Sequence, residues 1–158
     1  MSGKLTSAAM IRVAAIGAFC AIQCAQPATS AQPAPAASSS RSVWEGVFTI
    51  QQAKRGEAIY ARECASCHGA TLKEGEGATP LAGDAFVSEW NGESAGDLFE
   101  RIRQTMPQTE PGKMSRQEYV DVLGHILSVN KFPPGSTELD SHIDVLKQIR
   151  IEATRAKP

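Results

Sequence analysis

The feature that most constrains this chain is a cluster of three ligand-binding side chains within five residues. Cys64, Cys67 and His68 follow the pattern Cys-x-x-Cys-His, with Ala65 and Ser66 between the cysteines. Two thiols three residues apart at a helix end can both reach one edge of a flat macrocycle, and the next imidazole then lies beneath it. A fold around this segment must therefore leave room for a ligand larger than any side chain.

This spacing is the attachment sequence of c-type haem, in which two thioethers hold the porphyrin and the histidine binds the iron. A redox-active Cys-x-x-Cys pair belongs in a βαβ setting, and no strand-like alternation is found here. A zinc site needs four ligands, and only the scattered His125 and His142 could join the two cysteines. A disulfide across so short a loop would add little stability. We therefore predict one covalently bound haem c, with His68 as an iron ligand.

Residues 1–31 are predicted to be an export signal. Lys4 and Arg12 precede an apolar, Ala-rich run from Val13 to Ala25, and small residues follow near Ala31. The run is shorter than the ~20 apolar residues that a membrane-spanning helix needs. Cleavage near Ala31 would give a periplasmic or secreted protein without a membrane span.

Two alternatives stay open at this end. The apolar run could be retained as an anchor, or Cys24 could accept a lipid, although Gln23 is bulky where that processing favours a small residue. Cleavage near Ala31 would instead remove Cys20 and Cys24, leaving one close cysteine pair, which is not a disulfide framework.

The rest of the chain divides into three parts. Residues 32–42 are Pro, Ala and Ser without periodicity and predict a flexible leader. Residues 43–134 form the predicted domain, and residues 135–158 a tail with a helical pattern from about Leu139 to Ile151. The formal net charge of −1 favours neither nucleic acid nor an anionic membrane as a partner.

Three helices are placed by their N-terminal signals. The first starts at Thr49, which fits a capping box with Gln52, and Gly56 and Tyr60 share one of its faces. The second runs from about Ser94 to Thr105 and stops at Met106, ahead of a proline. The third starts at Ser115, and its apolar side chains recur at the spacing of a core-facing helix: Tyr119, Val122, Leu123, Ile126 and Leu127.

A polar, Gly-rich stretch from Gly69 to Glu93 separates the first two helices. Such a long loop is uncommon inside a compact domain, and it makes sense if it wraps a ligand rather than protein. A large prosthetic group would also supplement a small apolar core. The predicted fold is all-α, with three to four helices around one covalently bound haem.

An electron carrier works best with six-coordinate iron, so a second axial ligand is expected. Met106 is the first candidate because Pro107 restrains the backbone beside it, and Met114 is the runner-up. His125 shares a face with polar residues and is expected at the surface, and His142 lies in the tail. A thioether favours ferrous iron and raises the reduction potential relative to a second histidine.

From about Val43 to Pro134 the sequence resembles class I c-type cytochromes. The similarity rests on Gly56, Tyr60, the Cys64–His68 motif, Pro80-Leu81, Met106-Pro107, Tyr119 and Leu123. It implies that the first and last helices cross at the glycine and aromatic positions. It also implies a Pro-x-Leu turn in the segment that contains Pro80. A backbone carbonyl of that turn accepts a hydrogen bond from the histidine that binds the iron. Here the turn is Thr79-Pro80-Leu81, so either Thr79 replaces a proline or the loop is shifted by one residue.

A narrower similarity is to small cytochromes that accompany or are fused to periplasmic quinoprotein dehydrogenases. It rests on Leu81-Ala82-Gly83, Trp90-Asn91-Gly92, and the segment from Asp97 to Pro107. It implies a quinoprotein dehydrogenase and an oxidase-side acceptor as redox partners. In some relatives a tryptophan donates to a haem propionate, which is the role implied for Trp90 beside ordinary packing.

The predicted function is that of a one-electron carrier rather than an enzyme. Two alternatives stay open. The chain could be a haem subunit fixed in a dehydrogenase complex, with the tail helix as its docking element. It could also be a haem sensor or peroxidase-like enzyme, which would need an open iron site that carbon monoxide can enter.

Overall fold

The structure, a computed structural model, describes residues 40–73, 77–155 and 157, so the predicted export signal and most of the leader lie outside it. The described elements are β1 (Arg41–Ser42), a 3₁₀ turn (Val43–Glu45), α1 (Ile50–Glu63), α2 (Ala65–His68), α3 (Asp84–Trp90), α4 (Ala95–Thr105), α5 (Arg116–Val129), α6 (Ile143–Leu146) and β2 (Ile149–Arg150). The predicted all-α fold is confirmed. Of the helices in these ranges, none has the length and apolar character needed to cross a bilayer.

Helices α4 and α5 begin where their capping signals predict. The Asp97 N–H donates to Ser94 Oγ at 3.0 Å, and the Ser94 N–H donates back to the Asp97 carboxylate at 3.2 Å. Ser115 and Glu118 form the same reciprocal pair at 3.2 and 2.9 Å. These bonds satisfy backbone donors that have no partner inside the helix. Helix α4 ends before Met106, whose backbone is extended, as expected ahead of a proline.

Helix α1 has the predicted cap but not the predicted capping box. Thr49 Oγ1 accepts from the Gln52 N–H at 3.0 Å. The Gln52 side chain does not return the bond, because it is buried and pairs with the backbone of Leu139. Its amide donates to the Leu139 carbonyl at 3.1 Å and accepts from the Leu139 N–H at 2.8 Å. A buried amide must find such partners, and a distant segment supplies them.

Helices α1 and α5 cross at Gly56. A Cβ built at this position would lie 1.9 Å from the Asp121 carbonyl oxygen, so the two backbones touch where the side chain is missing. The ring of Tyr60 lies beside that of His125, with centroids 5.3 Å apart. Tyr119, also expected at this crossing, packs edge-on against Phe99 of α4 at 6.5 Å.

The expectation that His125 lies at the surface is wrong, because only 9% of it is exposed. Every residue from Tyr119 to Leu127 is buried, so α5 has no solvent face over this stretch. A helix covered on all sides buries its polar positions together with its apolar ones, and a face assignment from periodicity then fails.

The burial of His125 predicts a loss of stability in acid. Removal from water lowers the pKa of the imidazole from its ordinary value, against a smaller opposing effect of Glu57. The unfolded chain then binds a proton more readily, so the unfolding free energy should fall as the pH drops below about 6.5. Urea denaturation at several pH values should show a weaker decrease for His125→Gln. Equal decreases in both proteins would contradict this prediction.

The stretch from Gly69 to Glu93 is not a loop throughout. Residues Asp84–Trp90 form α3, which follows Gly83 at φ +89° and buries Phe86. The spacing of Phe86 and Trp90 by four residues is the sequence signal for this helix. It is short and flanked by glycines, so local propensity alone does not predict it.

The helix predicted from Leu139 to Ile151 is wrong for most of its length. Within this segment only α6 is helical, and β2 pairs in parallel with β1, Arg41 opposite Ile149 and Ser42 opposite Arg150. Four apolar side chains of this segment enter the domain core, whereas Val145 is exposed: Leu139, Leu146, Ile149 and Ile151 are all at most 3% exposed. Burial against distant residues therefore determines the structure of the tail, and its own periodicity does not.

Candidate functional site

The two cysteines and His68 lie on one turn of chain. Helix α1 ends at Glu63, Cys64 breaks its geometry, and α2 then places the next residues in a single helical turn. The His68 N–H donates to the Cys64 carbonyl at 3.0 Å. Both thiols are free, with Cys64 half-buried and Cys67 exposed, while His68 is only 8% exposed. The motif therefore presents two thiols and one buried imidazole from a short, hydrogen-bonded segment.

The imidazole of His68 is oriented by a backbone carbonyl. Its Nδ1 lies 3.0 Å from the Thr79 oxygen, and a carbonyl can only accept, so Nδ1 carries the proton. With the Nδ1 proton held by this carbonyl, Nε2 is the ring nitrogen left to bind a metal. Of the two arrangements left open for the turn, the one in which Thr79 replaces a proline matches this contact. Pro80 follows the acceptor and favours an extended backbone at Thr79.

A cavity of about 360 Å³ opens beside this turn. Its wall includes all six residues predicted to hold the cofactor: Cys64, Cys67, His68, Pro80, Trp90 and Met106. Much of the remaining wall is apolar and comes from separate segments, including Leu81, Leu98, Ile102, Val122 and Ile126. Apolar walls with a few converging polar or sulfur groups are typical of cofactor sites.

The four candidates for the second ligand lie in different places. Met106 lines the cavity and is partly buried. Met114 is buried but is not part of the cavity wall. His125 lies on α5 and packs against Tyr60 of α1. His142 is exposed and hydrogen-bonded to Asp140. Of these four, only Met106 shares the cavity with His68.

The backbone of Met106 is held on both sides. Its N–H donates to the Ile102 carbonyl at 2.8 Å, closing the last turn of α4. Its carbonyl accepts from the Tyr119 hydroxyl at 2.8 Å. Tyr119 is only 1% exposed and packs against Phe99, so this donor is itself fixed. A thioether on this backbone enters the cavity from a defined position.

An ion pair ties the loop after Met106 to the end of α1. Lys113 Nζ lies 2.6 Å from a Glu63 carboxylate oxygen, beside Cys64. The hydrogen bond from Lys113, assisted by one from Arg62, holds the pKa of Glu63 below its ordinary value. The partners are far apart in the chain, so the sequence carries no signal for this pair.

Trp90 forms part of the cavity wall at the end of α3. Its ring packs against Phe86 with centroids 6.4 Å apart, so part of its surface is used in the core. The structure therefore supports its packing role directly and places its side chain at the cavity.

The properties of the motif and its surroundings distinguish three interpretations: a redox-active cysteine pair, a zinc site and haem attachment. Burial raises the pKa of the Cys64 thiol to about 11, whereas redox-active Cys-x-x-Cys pairs have a lowered pKa. Within the described ranges no three His, Cys, Asp or Glu side chains come together as a metal site, so zinc finds no ligand set there. Two thiols, an imidazole and a thioether around a largely apolar cavity fit a covalently attached haem.

Comparison with known proteins supports this assignment. Residues 51–126 match the family model described as cytochrome c oxidase, cbb3-type, subunit III. The matched segment runs from α1 into α5 and contains both cysteines, His68 and Met106. No curated protein and no solved structure was found to match the chain. The predicted cytochrome c fold and the covalently bound c-type haem are confirmed by this match, and domains of this type usually lie outside the cytoplasm.

Proposed function

We propose that this c-type cytochrome domain, with its one covalent haem, is a secreted one-electron carrier with His68 and Met106 as axial ligands. It passes electrons between a periplasmic dehydrogenase and a respiratory acceptor. The observation that carries the proposal is that both side chains line the same cavity. A site with two protein ligands has no open iron position, which distinguishes a carrier from an oxygen- or peroxide-binding enzyme.

The proximal side is assembled from the motif and one loop. The thiols of Cys64 and Cys67 would form the two thioethers, and His68 would bind the iron through Nε2. The Thr79 carbonyl accepts the Nδ1 proton, which orients the ring and raises its basicity. When bound, the haem supplies the ferric/ferrous couple, and the chain supplies attachment, orientation and an apolar surround.

On the distal side, Met106 offers a soft, neutral sulfur that favours ferrous iron. Its backbone is held by Ile102 and Tyr119, so the thioether keeps one position when the charge on the site changes. The apolar side chains of the wall exclude water. Trp90, which lines the cavity, would donate its indole N–H to a haem propionate. Such a site changes little between its two redox states, as a carrier requires.

The proposed partners rest on a resemblance in the sequence. The segments Leu81–Gly83 and Trp90–Gly92 resemble those of cytochromes associated with quinoprotein dehydrogenases, so the donor is such a dehydrogenase and the acceptor lies on the oxidase side. The predicted export signal directs the protein to the periplasm. A fixed subunit would dock through the tail, but most of the large apolar side chains of the tail, Val145 excepted, are buried or partly buried in the domain itself. This supports a carrier that associates transiently with its partners.

The function is tested by redox titration and ligand binding of the haem-loaded protein. We expect one reversible one-electron wave, and a reduced spectrum that carbon monoxide leaves unchanged. A shift of the Soret band on adding carbon monoxide would show an open iron site and favour the sensor or peroxidase-like alternative.

Haem attachment should depend on both thiols of the motif. In an export-competent host with haem-attachment machinery, the wild-type protein should keep its Soret absorbance through acid–acetone extraction. Cys64→Ser and Cys67→Ser should each retain less haem than the wild type, because only one thioether can form and attachment becomes less efficient. Ser66→Ala changes the exposed residue between them and should retain haem fully. Free extraction of haem from the wild-type protein would rule out covalent attachment.

A further inference from the structure

The side-chain amide of Asn130, the residue that follows α5, forms hydrogen bonds with the backbone of the segment Leu81–Gly83. Its Oδ1 accepts from the Gly83 N–H at 3.0 Å, and its Nδ2 donates to the Leu81 carbonyl at 3.0 Å. The same Nδ2 donates to the Ile126 carbonyl at 2.9 Å, inside the last turn of α5. Asn130 thus joins a packed helix to the segment Leu81–Gly83 through one donor and one acceptor.

This segment continues directly from the carbonyl that orients the imidazole. Thr79 lies two residues before Leu81, and the Leu81 N–H donates to the Leu72 carbonyl at 2.7 Å. Residues 79–81 belong to no helix or strand, so their position depends on such bonds. The Pro80 ring restrains the short link between the two points. A displacement of Leu81 would therefore move the Thr79 oxygen away from His68.

We propose that Asn130 is a positioning residue for the proximal histidine. By fixing Leu81 and Gly83 it keeps the Thr79 carbonyl within hydrogen-bond distance of His68 Nδ1. The inference rests on the proposed role of His68 as an iron ligand. A hydrogen bond at Nδ1 makes the imidazole a stronger donor, which favours ferric iron and lowers the reduction potential. Loss of the Asn130 amide should weaken that bond and raise the potential.

The chain offers a matched control in Gln52. This buried side-chain amide also pairs with a distant backbone by one donor and one acceptor, at Leu139. Leu139 belongs to the tail and is not part of the cavity wall. Gln52→Ala and Asn130→Ala therefore remove the same kind of contact, but only one of them bears on His68.

The experiment compares the two variants in the haem-loaded protein. Both should unfold at lower urea concentration than the wild type. Only Asn130→Ala should raise the midpoint potential and speed solvent exchange of the His68 Nδ1 proton, followed by NMR, by about fivefold, as expected for one weakened hydrogen bond. Asn130→Asp keeps an acceptor for Gly83 but loses the bonds donated to Leu81 and Ile126. Its second carboxylate oxygen would lie beside the Leu81 and Ile126 carbonyls and repel them. Its exchange rate should therefore also rise above those of the wild type and Gln52→Ala, which gives a second variant if the alanine variant does not fold.

A potential and an exchange rate that change no more in the Asn130 variants than in Gln52→Ala would overturn the proposal and leave Asn130 a purely structural role. Failure of the proposed function looks different. The wild-type protein would then lack the low-spin spectrum of a histidine-ligated haem, and no His68 Nδ1 proton would show an iron-induced NMR shift.

Discussion

Replacing Met106 with alanine should abolish the weak charge-transfer band of the ferric protein at the red edge of the visible spectrum. That band reports sulfur bound to iron, and Met106 is the thioether that lines the cavity with His68. The vacated position should admit carbon monoxide to the reduced protein. The reduction potential should fall, because the ligand that favours ferrous iron is gone. Visible spectroscopy and potentiometry of the purified protein measure all three effects.

Met114→Leu is the control for this experiment. Met114 is buried outside the cavity wall, and leucine fills a similar volume without a sulfur atom. The band, the carbon monoxide response and the potential should all stay as in the wild type. Survival of the band in Met106→Ala together with its loss in Met114→Leu would assign the ligand to the loop before α5.

Gly56→Ala should destabilise the domain strongly, although it adds only one methyl group. The added Cβ would lie 1.9 Å from the Asp121 carbonyl oxygen and 3.0 Å from the His125 Cβ, so α1 and α5 would have to separate. Backbone atoms cannot move aside as a side chain can, and overpacking of this kind costs about 3 kcal/mol or more. Urea denaturation should show the loss in unfolding free energy directly.

Gly124→Ala on α5 tests whether the effect belongs to the crossing. The three atoms nearest to a Cβ there all belong to the Gln52 side chain, the closest at 3.4 Å, and alanine favours helix over glycine by about 1 kcal/mol. Its unfolding free energy should stay within about 1 kcal/mol of the wild type. Equal losses in the two variants would mean that α1 and α5 do not meet at Gly56.

The elements that could be predicted from the sequence are those whose signals are local. Ser94 and Ser115 each find their partner three residues along the chain, and both helices start as expected. Gln52 offers the same spacing from Thr49, yet its side chain bonds Leu139, 87 residues away. A capping signal thus fails when a distant segment competes for the same side chain.

Long-range packing also explains the errors at His125 and in the tail. His125 lies on a helix that is covered on every side, and no pattern within α5 reveals how many neighbours cover it. The helical spacing of Ile143, Leu146 and Ile149 is real, but Ile149 belongs to a strand because β1 pairs with it. Periodicity indicates which side chains become buried, but it does not indicate which segment of the chain they pack against.

The candidate site divides in the same way. The Cys64–His68 motif and the setting of Met106 before Pro107 are local, and the structure brings all of them to one cavity. The groups that hold them in place were not predictable. The Tyr119 hydroxyl and the Asn130 amide donate to carbonyls that are 13 and 49 residues away in the chain. Every residue has a backbone carbonyl, so no residue type in the sequence indicates which one is the acceptor.

The pairing of β1 with β2 has a consequence for the order in which the protein matures. Arg41 and Ile149 lie near the two ends of the described chain, so synthesis delivers one long before the other. Contacts of such separation also carry the largest cost of loop closure and form late. The attachment turn at residues 64–68 is held by hydrogen bonds between near neighbours in the chain, so it can form before Leu146 and Ile151 enter the core. We therefore expect the thiols of Cys64 and Cys67 to be available for haem attachment before β1 and β2 pair.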